Sequence, residues 1–217
     1  MEAKEHWEKV YRTKSATEVS WFQEHADLSL KLIQDAGTPY TASIIDVGGG
    51  ASVLVDDLFA RGSRDVTVLD LSGAAIATAK SRLGKEAESV KWIESDILNV
   101  ALPAAAYDVW HDRAVFHFLT DEKDRDAYVE LVLHAVKPGG LVIVATFAED
   151  GPAECSGLPV MRYSADQLHA EFGEPFILLG HEEELHRTPS GKEQKFVYCF
   201  CRRALSYLDS NPKCITS

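Results

Sequence analysis

The segment Ile45-Asp46-Val47-Gly48-Gly49-Gly50-Ala51-Ser52 sets a carboxylate directly before a run of glycines, and a second carboxylate, Asp70, ends the next apolar stretch. Glycines between a strand and a helix let a ligand approach the backbone with no Cβ in the way. An acid at the end of the following strand can accept hydrogen bonds from both hydroxyls of a ribose. Together these features predict a nucleoside lying across the carboxyl ends of the strands. A dinucleotide fingerprint beginning at Gly48 would need a small residue where Val53 stands, and it would press Asp46 against a pyrophosphate. A cationic nucleoside suits that acid better.

Further along, His111-Asp112-Arg113 brings a base, an acid and a cation together at the end of another apolar stretch. Histidine can take a proton near neutral pH, and Arg113 could neutralise a carboxylate; the plainer alternative is an ion pair at a strand end. His117 either shares that cleft or packs in the core. Asp96 reads as a ligand contact or as a solvated turn residue. Trp7, Tyr11, Trp21 and Phe22 could cover a positive charge with their ring faces, or simply pack between helices. Cys155, Tyr163, His186 and Tyr198 are weaker candidates in the C-terminal part, and Glu182-Glu183-Glu184 reads as a solvated face. Cys155, Cys199, Cys201 and Cys214 form no C-x-x-C pair, and no Cys/His spacing suggests zinc. No metal is expected, and the thiols read as buried and reduced.

Those residues need elements to hold them. Helices are expected from Ala3 to Lys14 and from Leu28 to Asp35, where Leu28, Leu32 and Ile33 share a face. From Ser43 onward, strands and helices alternate. Ser43 to Val47 is a strand, and Ser52 caps a helix carrying Val53, Leu54 and Leu58. Asp65 to Asp70 is the next strand, and Ser72 caps a helix with Ile76, Ala79 and Leu83 inward. Strands Val90 to Ile93 and Tyr107 to His111 precede a helix from Asp121 to Val136. Lys137-Pro138-Gly139-Gly140 breaks that helix before a strand from Leu141 to Thr146. This rhythm implies right-handed crossovers and a parallel sheet covered on both faces. Phe176 to Leu179 and Phe196 to Cys201, with the turn signal Thr188-Pro189-Ser190-Gly191 between them, predict an antiparallel hairpin. The expected fold class is α/β: a Rossmann-like, doubly wound, mostly parallel sheet with an antiparallel C-terminal hairpin strand and a helical N-terminal lid. One domain is expected over 1–203, with the lid at 1–40, the nucleoside-binding core at 41–147 and a further part at 148–203, followed by a flexible tail at 204–217.

Composition narrows the partners. With 217 residues, 46% hydrophobic and 26% charged, the chain can bury a full core. Its net charge of −12 disfavours nucleic acid and anionic membrane surfaces. The longest apolar run, Phe196 to Cys201, is far shorter than the roughly 20 residues that span a bilayer. The N-terminal Met1-Glu2-Ala3-Lys4-Glu5-His6-Trp7 has no secretory apolar region. A cytoplasmic protein without nucleic-acid or membrane partners is expected.

A nucleoside with cationic groups and no phosphate is S-adenosylmethionine (SAM), and the chain resembles the class I SAM-dependent methyltransferases. The resemblance rests on Asp46, Gly48 and Gly50, with Ser52 in place of the usual third glycine, and on Asp70. It continues through Glu94-Ser95-Asp96-Ile97, Tyr107-Asp108-Val109 and Leu133-His134-Ala135-Val136-Lys137-Pro138-Gly139-Gly140-Leu141, in family order from Ile44 to Phe147. It implies that Gly48 and Gly50 meet the methionyl part, Asp70 the ribose and Asp96 the adenine amino group, with Ile97 on the ring. Asp46, Gly49 and Leu71 join that cofactor set, and His111 would stand near the sulfonium and the acceptor. Trp7, Tyr11, Trp21 and Phe22 resemble the lid of thiopurine-methyltransferase-like enzymes and of certain eukaryotic lysine methyltransferases. His111-Asp112-Arg113-Ala114 departs from the Asn/Asp-Pro-Pro-Tyr/Phe signature of many amino-group methyltransferases. His111, Asp112 and Arg113 are the catalytic candidates. Methyl transfer to a small-molecule acceptor is expected, with sulfur favoured because thiols ionise readily. The alternatives are a protein lysine N-methyltransferase and, more remotely, a nicotinamide (NAD)-dependent oxidoreductase or a SAM-binding module without catalysis.

Overall fold

The strand-like stretches up to Phe147 become parallel strands, all with buried residues except Lys91–Glu94 at the sheet edge, in the computed structural model, which describes residues 2–205. They are β1 (Ile44–Val47), β2 (Val66–Asp70), β3 (Lys91–Glu94), β4 (Tyr107–Arg113) and β5 (Val136–Phe147). A small hairpin, β6 (Glu154–Cys155) and β7 (Leu158–Pro159), precedes the long antiparallel pair β8 (Phe176–Arg187) and β9 (Glu193–Arg203). The main sheet runs β3-β2-β1-β4-β5-β9-β8, with β9 antiparallel to β5. Because β1 lies between β2 and β4, the strand order reverses there, and a crevice opens at the carboxyl ends of β1 and β4. The candidate residues Asp46, Gly48, Asp70, His111 and Arg113 lie around that switch point.

The connecting helices are α1 (Glu2–Thr13), α2 (Asp27–Asp35), α3 (Leu54–Ala60), α4 (Gly73–Leu83), α5 (Glu122–Ala135) and α6 (Ala165–Phe172). Leu30, Ile33, Leu54 and Phe59 from α2 and α3 bury one face of the sheet. Tyr128, Val132, Leu168 and Phe172 from α5 and α6 bury the other. Ser72 caps α4 by accepting from Ala75 N–H, and Asp121 caps α5 by accepting from Lys123 N–H. Ser52 still accepts from Leu54 N–H, although α3 starts later than the cap spacing suggests.

The structure departs from expectation in three places. β5 begins at Val136 and carries Lys137-Pro138-Gly139-Gly140 within it; its register against β4 shifts between Tyr107 and Val109, and such an irregularity tolerates a proline that cannot donate to the ladder. β8 and β9 extend through the charged segment between the apolar runs. α6 was legible but unread, because Ser164 and Gln167 form a reciprocal capping box at its start. Cys214 and the expected tail, from residue 206, lie outside the described residues.

Candidate active site

A cavity of about 370 Å³ opens at the switch point. Gly48, Asp70, Leu71, Asp96 and Ile97 line one part of it, and Trp7, Tyr11, Trp21 and Phe118 line another. The aromatic rings hold one another edge to face: Trp7 lies 5.6 Å from Trp21 and 5.3 Å from Phe118, and Tyr11 lies 6.0 Å from Trp21. Glu8 fastens this roof, since its carboxylate accepts from Ser72 Oγ at 3.0 Å and from Ala74 N–H at 3.1 Å, where the amino end of α4 favours an acid.

Asp70 is buried at the end of β2. Its Oδ2 accepts from Gly50 N–H at 2.9 Å and its Oδ1 from Ser72 N–H at 2.8 Å. Burial pushes its carboxyl up to about 6, the two N–H donors hold it back, and the charges of Asp46 and Glu8 add to the rise. A Cβ at Gly50 would stand 2.6 Å from both Asp70 Oδ2 and Ala75 Cβ. Gly50→Ala should therefore displace the carboxylate and weaken binding of S-adenosylhomocysteine (SAH), the demethylated form of SAM, about tenfold or more, with roughly 1–3 kcal/mol of overpacking cost. Calorimetry and melting on that variant check this, and an unaltered affinity would count against it.

Asp46 occupies β1 beside His111 of β4. Its Oδ1 accepts from His111 Nδ1 at 2.7 Å, and its Oδ2 is buried with no partner among the described residues. An unpaired buried carboxylate oxygen is costly and is a natural seat for an ammonium. It lies over Gly49, where a Cβ would collide with it. Gly48 turns the chain at φ +72, and a Cβ there would collide with Val115. Asp46, Gly48, Ser29 and His111 line a smaller cavity of about 40 Å³, which shares Trp21, Val47, Gly48 and Arg113 with the larger one. A nucleoside with a cationic amino-acid arm fits this pair of spaces, because the arm's ammonium matches the bare oxygen.

The side chains of His111, Asp112 and Arg113 have separate partners and do not meet in one cluster. Both ring nitrogens of His111 are engaged, Nδ1 with Asp46 and Nε2 with Ser29 Oγ at 2.8 Å, so the expected base has no free nitrogen. Asp112 accepts from Val115 N–H at 2.9 Å, Phe116 N–H at 3.1 Å and Tyr128 OH at 2.6 Å. It shapes the turn Phe116–Phe118 and lines neither cavity. Burial pushes its carboxyl up to about 6 against the Tyr128 and backbone donors. Arg113 lines both cavities; it donates to Glu184 Oε2 at 2.9 Å and Tyr198 OH at 2.9 Å, and lies 4.1 Å over the Phe196 ring. Glu184 is thus drawn inward from a run expected to be solvated.

The remaining candidates divide. Cys155 lines the larger cavity as a thiol that burial pushes up to about 12. Phe22 lines the smaller one. His117 packs on Phe118 and Phe147, lines neither cavity, and is pushed down to about 3 by burial and then by Arg113. His186 bonds Ser20 O at 2.7 Å, and Tyr163 is buried away from both cavities. Ser29, Glu8 and Phe118 escaped the sequence reading: Ser29 is one polar residue on an apolar helix face, and Phe118 follows the strand that the pattern ended early.

The family described as "Methyltransferase domain" matches residues 44–140. Human EEF1A lysine methyltransferase 2 is 26% identical over 190 residues, covering 81% of this chain and 75% of that protein. A solved structure described by the conversion of a disulfide bond into a thioacetal group during echinomycin biosynthesis superposes with a TM-score of 0.75 at 20% identity, covering 98% of both chains. The Burkholderia thailandensis 1,6-didemethyltoxoflavin-N1-methyltransferase, with bound 1,6-didemethyltoxoflavin and SAH, superposes with a TM-score of 0.68 at 18% identity, covering 93% of this chain and 87% of that one. No helix of the described residues is long and apolar enough to cross a membrane. Motif order, the matched segment and the strand order agree: residues 44–140 carry a methyltransferase domain of the class I SAM-dependent kind.

Proposed function

We propose that this enzyme methylates a small sulfur acceptor, a thiol or sulfide. One observation carries the reading: among the described residues lining the larger cavity there is no histidine or lysine, and Arg113 is the cation. An amine or hydroxyl acceptor must give its proton to a base, whereas a thiol ionises near neutral pH. Arg113 lines the cavity with its guanidinium bonded to Glu184, Tyr198 and the Trp21 carbonyl, and Glu184 itself lines neither cavity. A cation beside a thiol favours the thiolate, working against the burial that pushes the Cys155 thiol of the same cavity up to about 12.

SAM supplies a methyl group already activated on a sulfonium. The protein's part is to hold and align. Asp46 Oδ2 receives the ammonium, and Gly48, Gly49 and Gly50 leave room along the methionyl arm. Asp70 accepts from the ribose, with Leu71, Asp96 and Ile97 around the adenine. Trp7, Tyr11 and Trp21 cover the sulfonium and keep water out, and alignment supplies most of the acceleration. We place the enzyme in a reducing compartment such as the cytoplasm, where Cys155, Cys199 and Cys201 remain free thiols.

A second reading, protein lysine methylation, is favoured by the likeness to human EEF1A lysine methyltransferase 2 across 81% of the chain. Incubation with radiolabelled SAM and, separately, hydrosulfide, alkyl and aryl thiols, amines and a cell lysate distinguishes the two. Label is expected in methanethiol from hydrosulfide or in methyl thioethers from thiols; label confined to a polypeptide band overturns the small-molecule reading.

A further inference from the structure

We propose that Ser29 positions the amino-acid arm of the cofactor, acting through His111 and Asp46; this rests on the reading that Asp46 receives the ammonium. Ser29 sits on the buried face of α2 with Leu30, Leu32 and Ile33. A buried hydroxyl requires a partner, and this one reaches across to the sheet instead of back to its own helix. With a neutral imidazole, the two contacts of His111 assign the protons as follows. Ser29 O–H donates to His111 Nε2, which leaves the ring proton on Nδ1 to donate to Asp46 Oδ1. Each of the three residues is at most 2% exposed, so water does not offer substitutes.

The consequence falls on the other carboxylate oxygen. With Oδ1 held by His111, Oδ2 is fixed over Gly49 with no partner among the described residues, on a residue that lines the smaller cavity. Without the Ser29 hydroxyl, Nε2 loses its donor, the imidazole can adopt the other tautomer, and Asp46 loses the bond that orients it. The residues assigned to the nucleoside, Asp70, Asp96 and Ile97, line the larger cavity and take no part in this relay. Loss of Ser29 should therefore be felt by the amino-acid arm and not by the nucleoside.

Calorimetry at pH 7.5 with two probes tests this: SAH, and 5′-methylthioadenosine, which keeps the nucleoside thioether but lacks the amino-acid arm. Ser29→Ala should weaken SAH about five- to tenfold, the value of one buried hydrogen bond, and alter 5′-methylthioadenosine less than about twofold. If Ser29→Ala does not fold, Ser29→Cys, of similar size with a weak donor, gives the same comparison. Equal weakening of both probes means a merely structural role and overturns the proposal, as does unchanged SAH affinity. Wild-type protein that binds the two probes equally well overturns the ammonium reading itself, whereas a wild-type preference for SAH that survives in the variant overturns only the relay.

Discussion

Asp70→Ala should bind SAH about a hundredfold more weakly than the unaltered enzyme when measured by calorimetry at pH 7.5. Hydrogen bonds to a charged partner contribute roughly 1.5–3 kcal/mol each, and two ribose hydroxyls partly compensated by water give a loss of that order. The pH dependence follows from burial. Asp70 ionises only near pH 6, against an ordinary value of 3.8. SAH affinity should therefore fall as pH drops through about 6, by at most one decade per pH unit for this group. Its contribution to folding runs the other way: a raised carboxyl favours the fold below about pH 4, and that contribution is lost as pH rises through about 6. Asp112 has the same direction. Affinity within threefold of the unaltered enzyme in Asp70→Ala would remove Asp70 from the cofactor site.

Glu184→Ala should lower the melting temperature by roughly 10 °C, because it strands the Arg113 guanidinium. The ion pair is 9% and 16% exposed at its two side chains. Removing one partner of such a pair costs about 3–5 kcal/mol, and for a chain of this length each kcal/mol moves the midpoint by about 2–4 °C. The double replacement Arg113→Met with Glu184→Leu should recover most of that stability, since apolar residues of similar volume often substitute for a buried pair. It should also lose methyl transfer to thiols while keeping SAH binding within about threefold. A melting temperature unmoved in Glu184→Ala would mean that Arg113 is solvated after all.

The doubly wound sheet could be read from the chain because β1, β2 and β4 are short apolar runs followed by the helix signals Ser52, Ser72 and Asp121, and because Asp46, the glycines and Asp70 recur at strand ends. What could not be read was which side chain meets which. His111-Asp112-Arg113 looked like one functional unit, but alternate residues of a strand face opposite ways. His111 and Arg113 turn toward α2 and the hairpin, while Asp112 turns toward Tyr128 of α5. The same period separates Glu184, which pairs in register with Phe196 beneath Arg113, from its neighbour Glu183, which pairs with Val197. Ser29 carries no sequence signal at all; its partner lies 82 residues away and is brought to it by the packing of α2 on the sheet.

Helix α1 sets Trp7 and Tyr11 over the cavity and is tied to the body by Glu8 at the start of α4 and by Lys4, whose ammonium pairs with Glu94 at 2.6 Å. Its folding is then one equilibrium with filling of the cavity beneath it. In the empty enzyme this helix should be the first unit to exchange its amide hydrogens, at a cost well below that of global opening. Each catalytic cycle would then include a small refolding reaction at the amino end of the chain, which makes the speed of that local transition a ceiling on turnover.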